Sequence, residues 1–275
     1  MADGSARAAS FISTQEHRRF TEFANAVRKH RYIGLCHGTA GVGKTLSARR
    51  YARWDGAVDL LMAWGARQPS DLKIYADLAR ARTVFYTPTV GSTLRELRQD
   101  LPRLIDRVDI CIDQHIRPKD RIIVSPRNKH SVELLIVDEA DRLSNTGLQY
   151  LCDLFDRQGI GLILIAMPGI EKRIERYPQL FSRVGFAHQQ YRPLQDEELT
   201  FVLTRRWRDL GLAMDEADFT DAQAVATIVQ ITGGNFRLLH RLFVQIERIL
   251  RINGPNAITG DVMEAARSAL VIGVT

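Results

Sequence analysis

Cysteine is scarce in this chain and carries no pattern. Cys36, Cys111 and Cys152 stand far apart, without the paired spacing of a zinc site or a disulfide framework. They read as small buried hydrophobes, and a cytoplasmic, reducing location is expected. Long apolar runs are missing too. Nothing approaches the roughly 18 apolar residues of a membrane span, and MADGSARAASF lacks the apolar core of a secretory leader, so no membrane partner is expected. Neither an internal repeat nor a low-complexity linker is found, and the guanine-reading pattern N-K-x-D does not occur. Charge of one sign does not dominate: 38 Lys and Arg stand against 32 Asp and Glu, for a net charge of +6. That balance favours an anionic partner such as nucleic acid, but a nucleotide site also needs cations, so it excludes little.

What is present suffices for one larger domain with a smaller one appended: 275 residues, 45% of them hydrophobic. Residues 1–12 read as a frayed tail. Ser13, with Glu16 three positions on, has the spacing of a helix capping box, and Phe20, Phe23, Ala24 and Val27 follow at helical intervals. YIGLC, TVFYT, ELLIVDEA, IGLILIAM and VGFAHQ read as five strands, separated by helical stretches such as LSARRYARW, STLRELRQDLPRLIDRV (with Pro102 as a point of bending) and TGLQYLCDLFDRQG. Alternating strands and helices predict a parallel sheet covered on both faces. Residues 54–82 mix an apolar patch, VDLLMAW, with one short helix, DLKIYADLARAR. DQHIRPKDRIIVSPRNKH reads as basic, turn-rich and exposed. From DEELTFVLTRRWRDLG onward only helical patterns remain. The expected organisation is an N-terminal tail and helix over 1–30, an α/β nucleotide-binding core over 31–192 and an all-helical domain over 193–275.

Chemistry concentrates in two stretches. GTAGVGKT, from Gly38 through Thr39, Ala40, Gly41, Val42, Gly43 and Lys44 to Thr45, matches G-x-x-x-x-G-K-[ST] between a strand and a helix that continues with Leu46. Glycines let the backbone wrap so that N–H groups converge on a phosphate. Lys44 adds a point charge at the outer phosphates, and Thr45 offers its hydroxyl to Mg²⁺. In LLIVDEAD, a buried strand ends in Asp138, placed to hold Mg²⁺, and Glu139, placed to deprotonate an attacking water. Together they point to binding and hydrolysis of a nucleoside triphosphate. ATP is favoured because the guanine motif is missing.

With GTAGVGKT, LLIVDEADRL, LIAMPGIEKRIERYPQLFSRVGF and GGNFRLLHRL in this order, the chain resembles AAA+ ATPases over residues 15–270. It looks most similar to the transposition-regulator branch that includes TniB, TnsC, IstB and MuB-like proteins. The resemblance implies a five-stranded sheet with the acidic strand beside the P-loop strand, and a C-terminal helical lid. It implies an arginine finger at Arg183, reaching a neighbouring subunit's nucleotide, and a lid arginine at Arg237, contacting its own. Thr87, at the end of the second strand, takes the place from which a polar residue restrains the catalytic glutamate. One departure stands out. Ala166, Met167 and Pro168 follow the fourth strand where many relatives carry Asn, Thr or Ser, so slow hydrolysis is expected.

The same resemblance places double-stranded DNA against the loop and helix after the second strand, with Ser92, Thr93, Arg95 and Arg98, and against Arg117, Lys119 and Arg121. Such contacts to phosphates would be largely independent of base sequence. The implied partners are a cognate transposase and further copies of the chain in a ring or helical filament. A helicase loader or replication ATPase of the same fold, and a remodelling or signalling ATPase without nucleic acid, stay open alternatives.

Overall fold

The computed structural model describes residues 11–117, 131–215, 217–254 and 257–270. They divide into two compact units, one from Arg19 to Tyr191 and the other from Arg192 onward together with the first residues up to Arg18.

The larger unit is built on a parallel sheet. Helix α1 (Gln15–His30) leads into β1 (Ile33–His37), followed by α2 (Lys44–Tyr51), α3 (Val58–Ala63), α4 (Leu72–Ala81) and β2 (Thr83–Tyr86). The chain continues through α5 (Leu94–Ile116), β3 (Leu134–Val137), α6 (Asn145–Gln158), β4 (Gly161–Ala166), α7 (Ile170–Glu175), α8 (Pro178–Phe181) and β5 (Val184–Gln190). Every residue of β1, β3 and β4 is buried, as strands covered on both faces must be. Five strands pair in the order β2-β3-β4-β1-β5, all parallel. A five-stranded parallel sheet is what the resemblance implies.

That order corrects one expectation. The acidic strand β3 does not lie beside the P-loop strand β1, because β4 stands between them. The two still cooperate, because in a parallel sheet all strands end on the same edge and loops from non-adjacent strands meet there.

Local chemistry accounts for the element ends. Thr14, rather than Ser13, starts α1: its hydroxyl accepts the His17 N–H at 3.1 Å. Glu16 uses its carboxylate to accept the Arg192 N–H instead. Residues 54–82, unplaced from sequence beyond a short helix, form α3, α4 and two short 3₁₀ turns, Trp54–Gly56 and Pro69–Asp71. Thr93 caps α5 in a full capping box with Glu96, and α5 runs for 23 residues with Pro102 inside it. It therefore takes in residues up to Ile116 that read as a loop. Cys36, Cys111 and Cys152 are free and buried. Burial pushes the Cys111 thiol up to about 12 and the Cys152 thiol up to about 11.

The second unit is helical: α9 (Asp196–Asp209), α10 (Phe219–Thr232), α11 (Phe236–Asn253) and α12 (Gly260–Ala269). Its core gathers Val202, Leu203, Trp207, Ile228, Leu239, Leu242 and Ile246. Ile12 is buried in the same cluster, so the end of the expected tail is packed. The GGN segment is a structural joint, in which Gly233 ends α10 and the Asn235 side chain accepts the Arg237 and Leu238 N–H groups at the start of α11. No described helix is long and apolar enough to cross a membrane.

Candidate functional site

Residues 38–43 join the carboxyl end of β1 to the amino end of α2, and a loop opening a helix in this way offers backbone N–H groups to an anion. Lys44, the first residue of α2, folds its ammonium back onto the carbonyl oxygens of Gly38 and Thr39, the latter at 2.9 Å. Gly43 has φ of 113°, a conformation that only glycine adopts without strain. Val42 is buried and anchors the loop, whereas Leu46 is half exposed. Thr39 and Ala40 face outward.

Tyr191, which no motif singled out, seats this loop. Its N–H donates to the His37 carbonyl at 2.7 Å, and its phenol oxygen lies 2.8 Å from the buried Ser47 hydroxyl on α2. Its carbonyl would lie 2.3 Å from a Cβ placed on Gly38. A tyrosine directly after the fifth strand is the sole trace of this in the sequence. Gly38→Ala should therefore force the end of β5 away from the loop. Overpacking of this kind costs about 1–3 kcal/mol, so thermal melting should fall by several degrees and ATP affinity with it. An unchanged melt and nucleotide titration would show that the contact yields freely.

Across the sheet edge, Asp138 follows β3 and is almost fully buried. Its Oδ2 accepts the Thr45 hydroxyl at 2.7 Å, and its Oδ1 accepts the Glu139 N–H at 2.9 Å. Burial raises its pKa, and the Thr45 and Glu139 hydrogen bonds and the Lys44 charge work against that rise. Thr45 and Asp138 thus sit together although their strands are not neighbours. A hydroxyl and a carboxylate at this spacing are the hard oxygen donors that suit Mg²⁺.

Glu139 takes a left-handed backbone with φ of 49°. Its carboxylate pairs with Arg142, whose guanidinium also donates to the Pro88 carbonyl in the loop after β2 at 3.1 Å. Thr87 lies exposed just beyond β2, and among the described residues it is Arg142, not Thr87, that engages Glu139. The arginine was readable in DEADR, but its pairing depends on the bend at Glu139. After β4, the Met167 N–H lies 3.3 Å from the Asp141 carboxylate, so an acid approaches the position where Ala166, Met167 and Pro168 bring no polar side chain.

The remaining candidates are dispersed. Arg183 precedes β5 and is gripped by Asp156 of α6, with Nε 3.0 and 2.9 Å from the two carboxylate oxygens and Nη2 at 2.8 Å. Arg237 is exposed in the first turn of α11, within the helical unit. In the loop after β2, the Ser92 hydroxyl donates to the Thr89 carbonyl, and the Thr93 hydroxyl is occupied as the cap of α5. Both hydroxyls are thereby committed locally. Arg95 and Arg98 are exposed on the first turns of α5, with Arg98 lying 5.7 Å over the Tyr150 ring. Arg117 caps the other end of that helix. Twenty-two residues of helix place it about 33 Å from Arg95, so the two do not form one patch in a single subunit. Lys119 and Arg121 lie outside the described residues.

Comparison with known proteins follows the same lines. The profile of the AAA domain family matches residues 27–174. A "potential ATP-binding protein" of Staphylococcus aureus is 41% identical over 96% of this chain and 98% of its own length. The Mu-like prophage FluMu DNA transposition protein B of Haemophilus influenzae is 24% identical over 86% of this chain and 72% of its own. Among solved structures, the Thermotoga maritima RuvB Holliday junction branch migration motor superposes with a TM-score of 0.55 at 15% identity. That match covers 94% of this chain and 70% of that one, and it speaks for the fold alone.

Proposed function

We propose that this chain, which belongs to the AAA domain family, is an ATP-dependent DNA-binding regulator that assembles on target DNA and recruits or stimulates a cognate transposase. The observation that carries the ATP half is the joining of Thr45 to Asp138 at the edge that also holds Lys44 and Glu139. The likeness to a DNA transposition protein over most of both chains supports the other half.

In this reading Lys44 binds the outer phosphates of ATP, and Thr45 and Asp138 hold Mg²⁺. The ion, when bound, would neutralise charge on the phosphate oxygens. Glu139 accepts a proton from the attacking water once Arg142 releases it. Arg183 serves the nucleotide of a neighbouring copy in a ring or filament, and Arg237 that of its own subunit. Hydrolysis is slow, because no hydroxyl or amide side chain follows β4, and ATP rather than its turnover defines the active state. The protein works in the cytoplasm.

DNA lies against the loop after β2 and the start of α5, where Arg95 and Arg98 are exposed. The commitment of the Ser92 and Thr93 hydroxyls leaves the arginines as the principal phosphate ligands there. Their distance from Arg117 means that a continuous track needs several subunits, each adding a few screened contacts that assembly turns into avidity. Arg95→Ala with Arg98→Ala should weaken binding equally on unrelated duplexes. It should also reduce the slope of log affinity against log salt by about 2, near 0.9 for each lost phosphate contact. Fluorescence anisotropy across a salt series on two duplexes, with ATP binding measured separately, reads both. Wild-type affinity and slope in the double variant would place the DNA surface elsewhere.

A further inference from the structure

Three residues outside the ATP chemistry meet at the carboxyl end of β1. His37 is the last residue of β1, His188 lies on β5, and Glu171 lies on α7 just after β4. The β1–β5 register sets His188 opposite Leu35, and Leu35 and His37 share a face of the sheet, so both imidazoles emerge on one side. Their rings stack at 4.5 Å with 18° between planes. Glu171 reaches both: its Oε1 lies 2.8 Å from His37 Nδ1 and 3.9 Å from His188 Nε2. One ligand atom from each of the three lies within 4.8 Å of the other two.

We propose that His37, Glu171 and His188 form a binding site for a zinc-like divalent cation beside the P-loop. Two imidazoles and one carboxylate are the donors that late first-row metals prefer, whereas Mg²⁺ calls for oxygens alone. Ligand atoms in a tetrahedral zinc site stand about 3.3 Å apart, given bonds near 2.0–2.1 Å. The spacings here bracket that value. Turning the His188 ring out of its stack would aim its nitrogen at the same point as the other two, and this side chain is 49% exposed and has the room.

The central member needs a partner. The His37 side chain is nine-tenths buried, and among the described residues neither ring nitrogen makes an aligned hydrogen bond, although Nδ1 faces the Glu171 carboxylate. A buried imidazole left this way is costly unless something completes it. The Gly169 N–H donates to Glu171 Oε2 at 2.8 Å and fixes the carboxylate from behind, as outer-shell groups do in metal sites.

Such an ion would tie β1, β5 and α7 together one residue before Gly38 and three residues before Tyr191, the residue that seats the P-loop. Three protein ligands leave a fourth position for water.

The test uses metal-stripped full-length protein without nucleotide, titrated with Zn²⁺ in equilibrium dialysis and with Co²⁺ in the visible spectrum. Wild type should bind one equivalent and give the intense d–d bands of tetrahedral cobalt. His188→Ala and Glu171→Gln should each weaken binding by about tenfold or more, the loss seen even when an outer-shell partner is removed. His188 is exposed enough that its variant should fold, which ATP binding and thermal melting check, and Glu171→Gln stands independently of it. Asp138→Asn should keep the zinc equivalent, separating this site from the one for Mg²⁺. Equal binding by wild type and both variants would overturn the proposal. So would an equivalent lost in Asp138→Asn and kept in His188→Ala.

Discussion

Glu139→Gln should lower steady-state phosphate release by about two to three orders of magnitude while ATP still binds, the range expected when a general base is removed. The amide keeps the shape of the side chain but cannot take a proton from water. The hydrogen bond that Glu139 gives Asp138 comes from its backbone N–H, which the substitution keeps, so the cradle made by Lys44, Thr45 and Asp138 should hold. The left-handed backbone at Glu139 is set locally, and the amide oxygen of glutamine can still accept from Arg142 although the charge is lost, so the substitution should not spread. Phosphate release and a nucleotide titration on the same preparation read the two halves. The variant should also trap the ATP-bound assembly on DNA, visible as persistent rings or filaments in electron micrographs. Unchanged phosphate release would remove Glu139 from the role of base.

Arg183→Ala should cut hydrolysis by about a thousandfold in the assembled protein, the lower range for loss of an arginine finger, and leave nucleotide binding by the isolated subunit nearly intact. Arg183 here grips Asp156 of its own subunit through Nε and Nη2. The hydrogen bonds to Asp156, and then its charge, raise the Arg183 pKa, so the guanidinium is charged throughout. The pair is exposed, and exposed ion pairs exchange partners readily, so a neighbour's phosphates can compete for this arginine. Asp156→Asn should then raise activity modestly. Mixing Arg183→Ala with Lys44→Ala provides the geometric test, since some interfaces will join an intact P-loop to an intact arginine and restore turnover. Failure to recover at any ratio, with mixed assembly verified, would place Arg183 in a role within its own subunit.

Much of the fold is legible in the sequence. The strands LLIV and GLILIA are buried on both faces, so they appear as unbroken apolar runs. The P-loop was legible because its backbone geometry admits few residue types: glycine at position 43, lysine and threonine where the helix starts. Local patterns misled where a neighbour had the deciding vote. Ser13 and Thr14 both suit a helix start, and the hydrogen bond to His17 selected Thr14. Ile12 read as tail because an isolated apolar residue carries no period, yet it is buried among the helices of the second unit.

Sequence by itself determined the chemical inventory: a phosphate loop, an acidic strand end, an excess of arginine, and the alternation that makes a parallel sheet. These are encoded in runs of a few residues, where side-chain type and backbone preference act directly. Only tertiary structure decided which distant residues meet. It placed β4 between β3 and β1 yet brought Thr45 to Asp138. It gave Arg142 to Glu139, Asp156 to Arg183 and Tyr191 to the P-loop. It put Arg95 and Arg117 at opposite ends of one helix and drew His37, Glu171 and His188 to one point. Strand order and side-chain convergence depend on pairings between segments far apart in the chain, and no local periodicity records them.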